Sequence, residues 1–156
     1  MLPLLQDYQN RLHTVLDEIE QALEGLPQAA IDWSPGPEMN SIGVLVAHVA
    51  GSTTYWIGDV VGRGATQRVR AAEFRTVGVS AADLRQALAT LRADADATLA
   101  SLTLIELTTL RRAPTDGQEY TVAWSLFHAL EHAAIHAGQV QLTRQLWMQQ
   151  QASGQS

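Results

Sequence analysis

The sequence contains no cysteine and no lysine. Without a thiol there is no disulfide, no zinc–thiolate or iron–sulfur site and no cysteine nucleophile. Without lysine every basic side chain is arginine, and the formal net charge is -6. An acidic chain with no basic cluster argues against nucleic acid as a partner, because phosphate binding needs concentrated Lys and Arg. No stretch reaches the ~20 apolar residues of a membrane span. Met1–Asp7 has neither a basic flank nor a signal-length apolar run. A cytoplasmic protein with no membrane partner is the expectation. Several motifs are missing too: a Gly-rich phosphate loop, Gly-x-Ser-x-Gly, His-Glu-x-x-His, and the Glu-x-x-His that a di-iron bundle needs twice.

What remains is 156 residues, 46% apolar and 17% charged, which reads as one globular domain. We place that domain at residues 1–150, with 151–156 as a flexible Gln/Ser/Gly-rich tail. A first helix is expected over Leu4–Leu23. Leu5, Tyr8, Leu12, Val15, Ile19 and Ala22 keep the 3.6-residue period, and Gly25 and Pro27 end it. His13 on this helix reads as a boundary residue. Asn40 or Ser41 caps a second helix, about Ile42–Val61, which is apolar almost all round. The third, about Ala81–Leu102, opens on Ser80 and Asp83 as a capping box and carries a single stripe from Leu84 to Leu99. The fourth begins after Thr121 and runs to about Met148.

Two connections stand out. Gly62–Gly78 is long for neighbouring antiparallel helices, so it predicts a crossover that lets helices two and three run the same way. Its Arg68, Arg70 and Arg75 near Glu73 read as a solvated, salt-bridged loop, with a lid that binds an anion as the alternative. Leu104–Tyr120 is expected to hold little regular structure, although Asp116-Gly117 is a turn signal that could close a hairpin. Helix four carries two apolar arcs. Leu126, Ala129, Leu130, Ala133 and Ala137 form one, and Phe127, Ile135, Leu142 and Leu146 the other. A helix apolar on two sides must be covered on two sides. A homodimer through helices two and/or four is therefore expected.

Three of the five histidines lie between these arcs, in His128-Ala-Leu-Glu131-His132-Ala-Ala-Ile-His136. Residues four apart share a helix face, so two such imidazoles can converge on one metal ion. All three cannot, since His128 and His136 are about 12 Å apart along the axis. Either adjacent pair would need a third ligand, and His48 on the second helix is the candidate. Three imidazoles with an open position describe a catalytic rather than a structural site. His-x-x-x-His alone is a weak signal in an Ala-rich helix, and histidines buried at a core boundary are the competing reading. His128-x-x-Glu131-His132 also matches a protease spacing, but the short segment left before Ser156 makes that match accidental.

Taken in order, Trp33-Ser34-Pro35, Asn40-Ser-Ile-Gly-Val-Leu-Val-Ala-His48, Arg68-Val-Arg-Ala-Ala-Glu73-Phe74 and His128-x-x-x-His132-x-x-x-His136-Ala-Gly138-Gln139 resemble the DinB/YfiT-like family of metalloenzymes over nearly the whole chain. The resemblance implies an all-α, up-down-down-up four-helix bundle, usually dimeric, with a three-histidine divalent metal site. It assigns the ligands to His48, His132 and His136 and leaves His128 one turn away, lining the pocket with Ser52 and Tyr55. Zinc is the first expectation for the metal, with nickel, iron(II) or copper as alternatives. The implied activity is thiol-dependent transfer or isomerisation. A low-molecular-weight thiol and a small electrophile would be the partners, and a metal-bound thiolate or water the nucleophile. Arg68, Arg70 or Arg75 would hold a substrate carboxylate. A non-catalytic metal-dependent binding or stress-response protein, and a structural dimer with buried histidines, are the alternatives.

Overall fold

The structure, a computed structural model, describes residues 1–154. Helix α1 spans Pro3–Leu23 and opens with proline in its first turn, where a missing N–H breaks no helical bond. Its stripe from Leu5 to Ala22 is buried, and Leu16 and Leu23 widen it. A short helix α2, Gln28–Asp32, interrupts the loop that follows. Helix α3, Ile42–Thr53, starts at Ser41, whose hydroxyl accepts from the Val44 amide at 3.2 Å. The helix then continues in π-helical form through Thr54–Val61, and the Gly62 amide donates to the Ile57 carbonyl at 2.9 Å. Such wide turns change the phase of the side chains that follow.

The connection after Gly62 contains one more helical turn, α4, Arg70–Glu73. Helix α5, Ala81–Ser101, opens on the expected box: the Ser80 hydroxyl accepts from the Asp83 amide at 3.1 Å and donates to the Asp83 carboxylate at 2.7 Å. Strands β1, Leu110–Arg112, and β2, Glu119–Thr121, lead into helix α6, Val122–Ser153. Thr121 caps α6 by accepting from the Trp124 amide at 3.1 Å. Helices α1 and α3 each pack against both α5 and α6. The Tyr8 hydroxyl ties α1 to α6 through the Leu126 carbonyl at 2.8 Å. The fold is all-α apart from one small hairpin, and no helix of the described residues is long and apolar enough to cross a membrane.

Three expectations change. The segment before α6 is more regular than its composition suggests, because β1 and β2 pair antiparallel with Arg111 opposite Tyr120. The turn signal prevails there: Gly117 takes a φ of +70°, and the Asp116 carboxylate accepts from the Gln118 amide at 2.9 Å. The second helix, apolar all round, finds its cover inside the chain. α2 and α4 pack on α3, and residues Ile42–Val46, His48 and Val49 are all buried. Helix α6, by contrast, keeps an exposed apolar stripe, with Phe127 64%, Ile135 57% and Leu142 50% exposed. Finally, α6 runs past Met148 to Ser153, so residues 151–153 of the expected tail are helical. Gln155 and Ser156 lie outside the described residues.

Candidate metal centre

Helix α6 places His132 and His136 one turn apart, and α3 carries His48 to meet them. The three Nε2 atoms converge: His48 lies 3.1 Å from His132, and His136 lies 3.2 Å from His132. One ligand atom from each lies within 4.8 Å of the others, and a divalent ion could be held between them. His48 is buried and the other two are half-buried.

Ligation requires neutral imidazole with a free lone pair. Burial pushes the His132 imidazolium down to about 4, helped by the charges of His136, His48, His128 and Arg68. Burial also lowers His48, and the hydrogen bond to Glu73 only partly offsets it. At neutral pH both rings are therefore unprotonated bases. Three converging imidazole nitrogens, with no carboxylate among them, fit a borderline divalent cation.

The far side of each ring differs. His48 Nδ1 lies 2.7 Å from Glu73 Oε2. A carboxylate only accepts, so Nδ1 carries the proton and Nε2 offers its lone pair to the centre. Arg68 in turn grips Glu73 with two bonds, Nε to Oε1 at 2.6 Å and Nη2 to Oε2 at 2.8 Å. Burial alone would raise the Glu73 carboxyl, but the bonds from Arg68 and His48 outweigh it and hold the group below its ordinary value. His136 Nδ1 meets Gln139 Oε1 at 2.7 Å, a contact made within α6. His132 Nδ1 is buried without a hydrogen-bond partner among the described residues.

The other expected site residues spread around this centre. The His128 ring is 5.9 Å from that of His132, stacked on Trp124 at 4.9 Å and edge-on to Trp56 at 4.8 Å. Ser52 is buried one turn beyond His48. Tyr55 is buried as well, but its hydroxyl bonds to Thr115 at 2.7 Å and its ring lies 5.6 Å from the Arg68 guanidinium. Of the three arginines, Arg68 is committed to Glu73 and Arg70 rests 4.8 Å over Phe74, whose ring in turn lies 4.7 Å from that of His48. The anion-clamp reading thus loses Arg68, its best-placed member.

Sequence reasoning missed Glu73 as the partner of His48, Gln139 as the partner of His136, and the wall of Trp56, Trp124 and Tyr120. The wall had a signal. Tyr120, Trp124, His128, His132 and His136 recur every four residues, and Tyr120 and Trp124 stack at 4.4 Å.

The profile of the DinB superfamily matches residues 11–140. No curated protein matches the chain. A solved structure described as a conserved protein from Enterococcus faecalis is similar at a TM-score of 0.79 and 18% identity, covering 94% of this chain and 98% of that one. A DinB-like protein from Bacillus cereus ATCC 10987 is similar at a TM-score of 0.71 and 15% identity, with 90% of each chain covered. At such identities the two structures speak for the fold alone. The family match extends over most of the sequence, including all three converging histidines, and the chain belongs to the DinB superfamily.

Proposed function

We propose that the chain is an up-down-down-up four-helix bundle that binds one divalent metal ion through Nε2 of His48, His132 and His136. We propose further that it uses the ion for thiol-dependent transfer or isomerisation of a small electrophile. Zinc is the first choice, with nickel or iron as alternatives. The observation that carries this reading is the convergence of three imidazole nitrogens, with His132 Nε2 3.1 Å from that of His48 and 3.2 Å from that of His136. A divalent ion in a three-imidazole site keeps an open position and lowers the pKa of a coordinated water or thiol to near neutral.

The surrounding residues divide the remaining work. Glu73 and Arg68 orient His48. Trp56 and Trp124 offer flat apolar surface beside the triad. His128 rests on those two rings and is the nearest imidazole outside the triad, so it is the group placed to carry a proton to or from a substrate. The exposed stripe of α6 supports a homodimer in which Phe127, Ile135 and Leu142 are covered by a second copy.

One observation favours a second reading, a metal-dependent binding protein without turnover. The carboxylate bonded to His48, Glu73, is committed to His48 and Arg68 and is not free for acid–base work. Elemental analysis of protein purified without a histidine tag, followed by conjugation assays with low-molecular-weight thiols, separates the readings. About one metal per chain with thiol-dependent product supports the enzyme. Metal with ligand-induced thermal shifts and no product supports the binding protein. No metal at all, and His48→Ala changing only stability, leaves the structural dimer.

A further inference from the structure

We propose that Gly51 is a positioning residue, whose missing side chain admits the Glu73 carboxylate to Nδ1 of His48 and so fixes which nitrogen of that ring carries the proton. The importance of that choice rests on the metal-binding reading above. The geometry behind it does not.

Gly51 lies inside α3, three residues after His48 and on the same side of the helix. A glycine there costs about 1 kcal/mol of helix stability relative to alanine. Its backbone is not in the left-handed region, so no turn or positive φ calls for glycine. What does call for it is Glu73. A Cβ built at Gly51 would stand 2.2 Å from Glu73 Oε1 and 2.8 Å from its Cδ, well inside any real contact. The carboxylate therefore rests on bare helix surface, with one oxygen toward Gly51 and the other on His48 Nδ1 at 2.7 Å. The Arg68 fork grips both oxygens, which leaves the carboxylate little freedom to rotate aside.

The consequence reaches the centre of the triad. His48 Nε2 faces His132 Nε2 at 3.1 Å, a separation at which a proton on either nitrogen would make a hydrogen bond. With Glu73 in place the His48 proton is held on Nδ1, and Nε2 keeps its lone pair. With Glu73 pushed away, the proton is free to move to Nε2 and bond His132, which blocks that nitrogen. Only the far end of a flexible side chain obstructs a Cβ, so Gly51→Ala should fold. It should push the Glu73 carboxylate, and the Arg68 fork that holds it, away from His48.

Nitrogen-15 NMR of the metal-free protein reads the His48 tautomer directly, and a chelator competition reads zinc affinity. Wild-type His48 is expected as the Nδ1–H tautomer. Gly51→Ala is expected to fold with unchanged or higher thermal stability, to lose that signature, and to weaken zinc binding about 10- to 100-fold. Because both substitutions break the same bond, Gly51→Ala added to Glu73→Ala should weaken zinc no further than Glu73→Ala alone. The proposal is overturned if Gly51→Ala retains the Nδ1–H signature, if it does not fold, or if the two losses simply add. Should wild type bind no zinc at all, the metal reading fails, while the tautomer measurement still decides the role of Gly51.

Discussion

His48 and the α6 pair reach the same point by different means. His132 and His136 are delivered by the period of one helix, and His136 is steadied by Gln139 from that helix. His48 depends on distant chain. Its ring is set by Glu73 from α4, Glu73 is held by Arg68, and the whole group fits only because residue 51 has no side chain. One side of the centre is local and solvent-facing, and the other is long-range and enclosed. Side chains of Glu73 and Arg68 are only 10% and 11% exposed. A metal site assembled this way should respond unequally to damage on its two sides.

The largest effect is expected at His132, whose Nε2 lies between those of the other two rings. His132→Ala should take the metal content of tag-free protein from about one per chain to none, measured by elemental analysis. Next comes the enclosed support. Glu73→Ala should weaken zinc about 10- to 100-fold in chelator competition. It also strands the Arg68 guanidinium, which should cost about 3 kcal/mol in denaturant unfolding. Gln139→Ala removes the corresponding support on the exposed side and should cost less than about threefold in affinity, since exposed contacts on one helix contribute little. Equal losses from Glu73→Ala and Gln139→Ala would erase the distinction between the two sides.

Acid sharpens the same contrast. The His132 imidazolium is pushed down to about 4 from 6.5, so the unfolded chain binds more protons between those values. The stability that the neutral ring contributes is fully present above pH 6.5 and is lost as pH falls toward 4. Metal-free protein should therefore lose thermal stability over that interval, with His132→Ala flattening the profile. The smallest effect on the site is expected from the outer face of α6. Ile135→Glu should convert a dimer to a monomer in sedimentation analysis and leave the zinc content unchanged.

That asymmetry also decides what could be read from sequence. The α6 histidines were legible because spacing alone puts them on one face. His48 as the third imidazole of the cluster was legible as the remaining candidate on an apolar helix. Its support was not. Nothing in Arg68-x-x-x-x-Glu73 says that the pair folds inward, since arginines around a glutamate on a polar loop are more often solvated. Gly51 gave no signal either, because a glycine three residues after a histidine is ordinary until something is known to press against it. The cover of α3 is hidden for a related reason: α2 and α4, which supply it, lie in segments that read as loops. The hairpin, by contrast, is signalled by Asp116-Gly117, and the irregular composition around it obscures the two short strands.

Three imidazoles and no carboxylate are expected to hold the metal. X-ray absorption spectroscopy of zinc-loaded, tag-free protein tests it most directly. Three imidazole nitrogens at about 2.0–2.1 Å are expected, with the remaining coordination filled by water or thiol. A first shell with fewer than three imidazoles, or with a protein carboxylate such as Glu73 in place of His48, would contradict it.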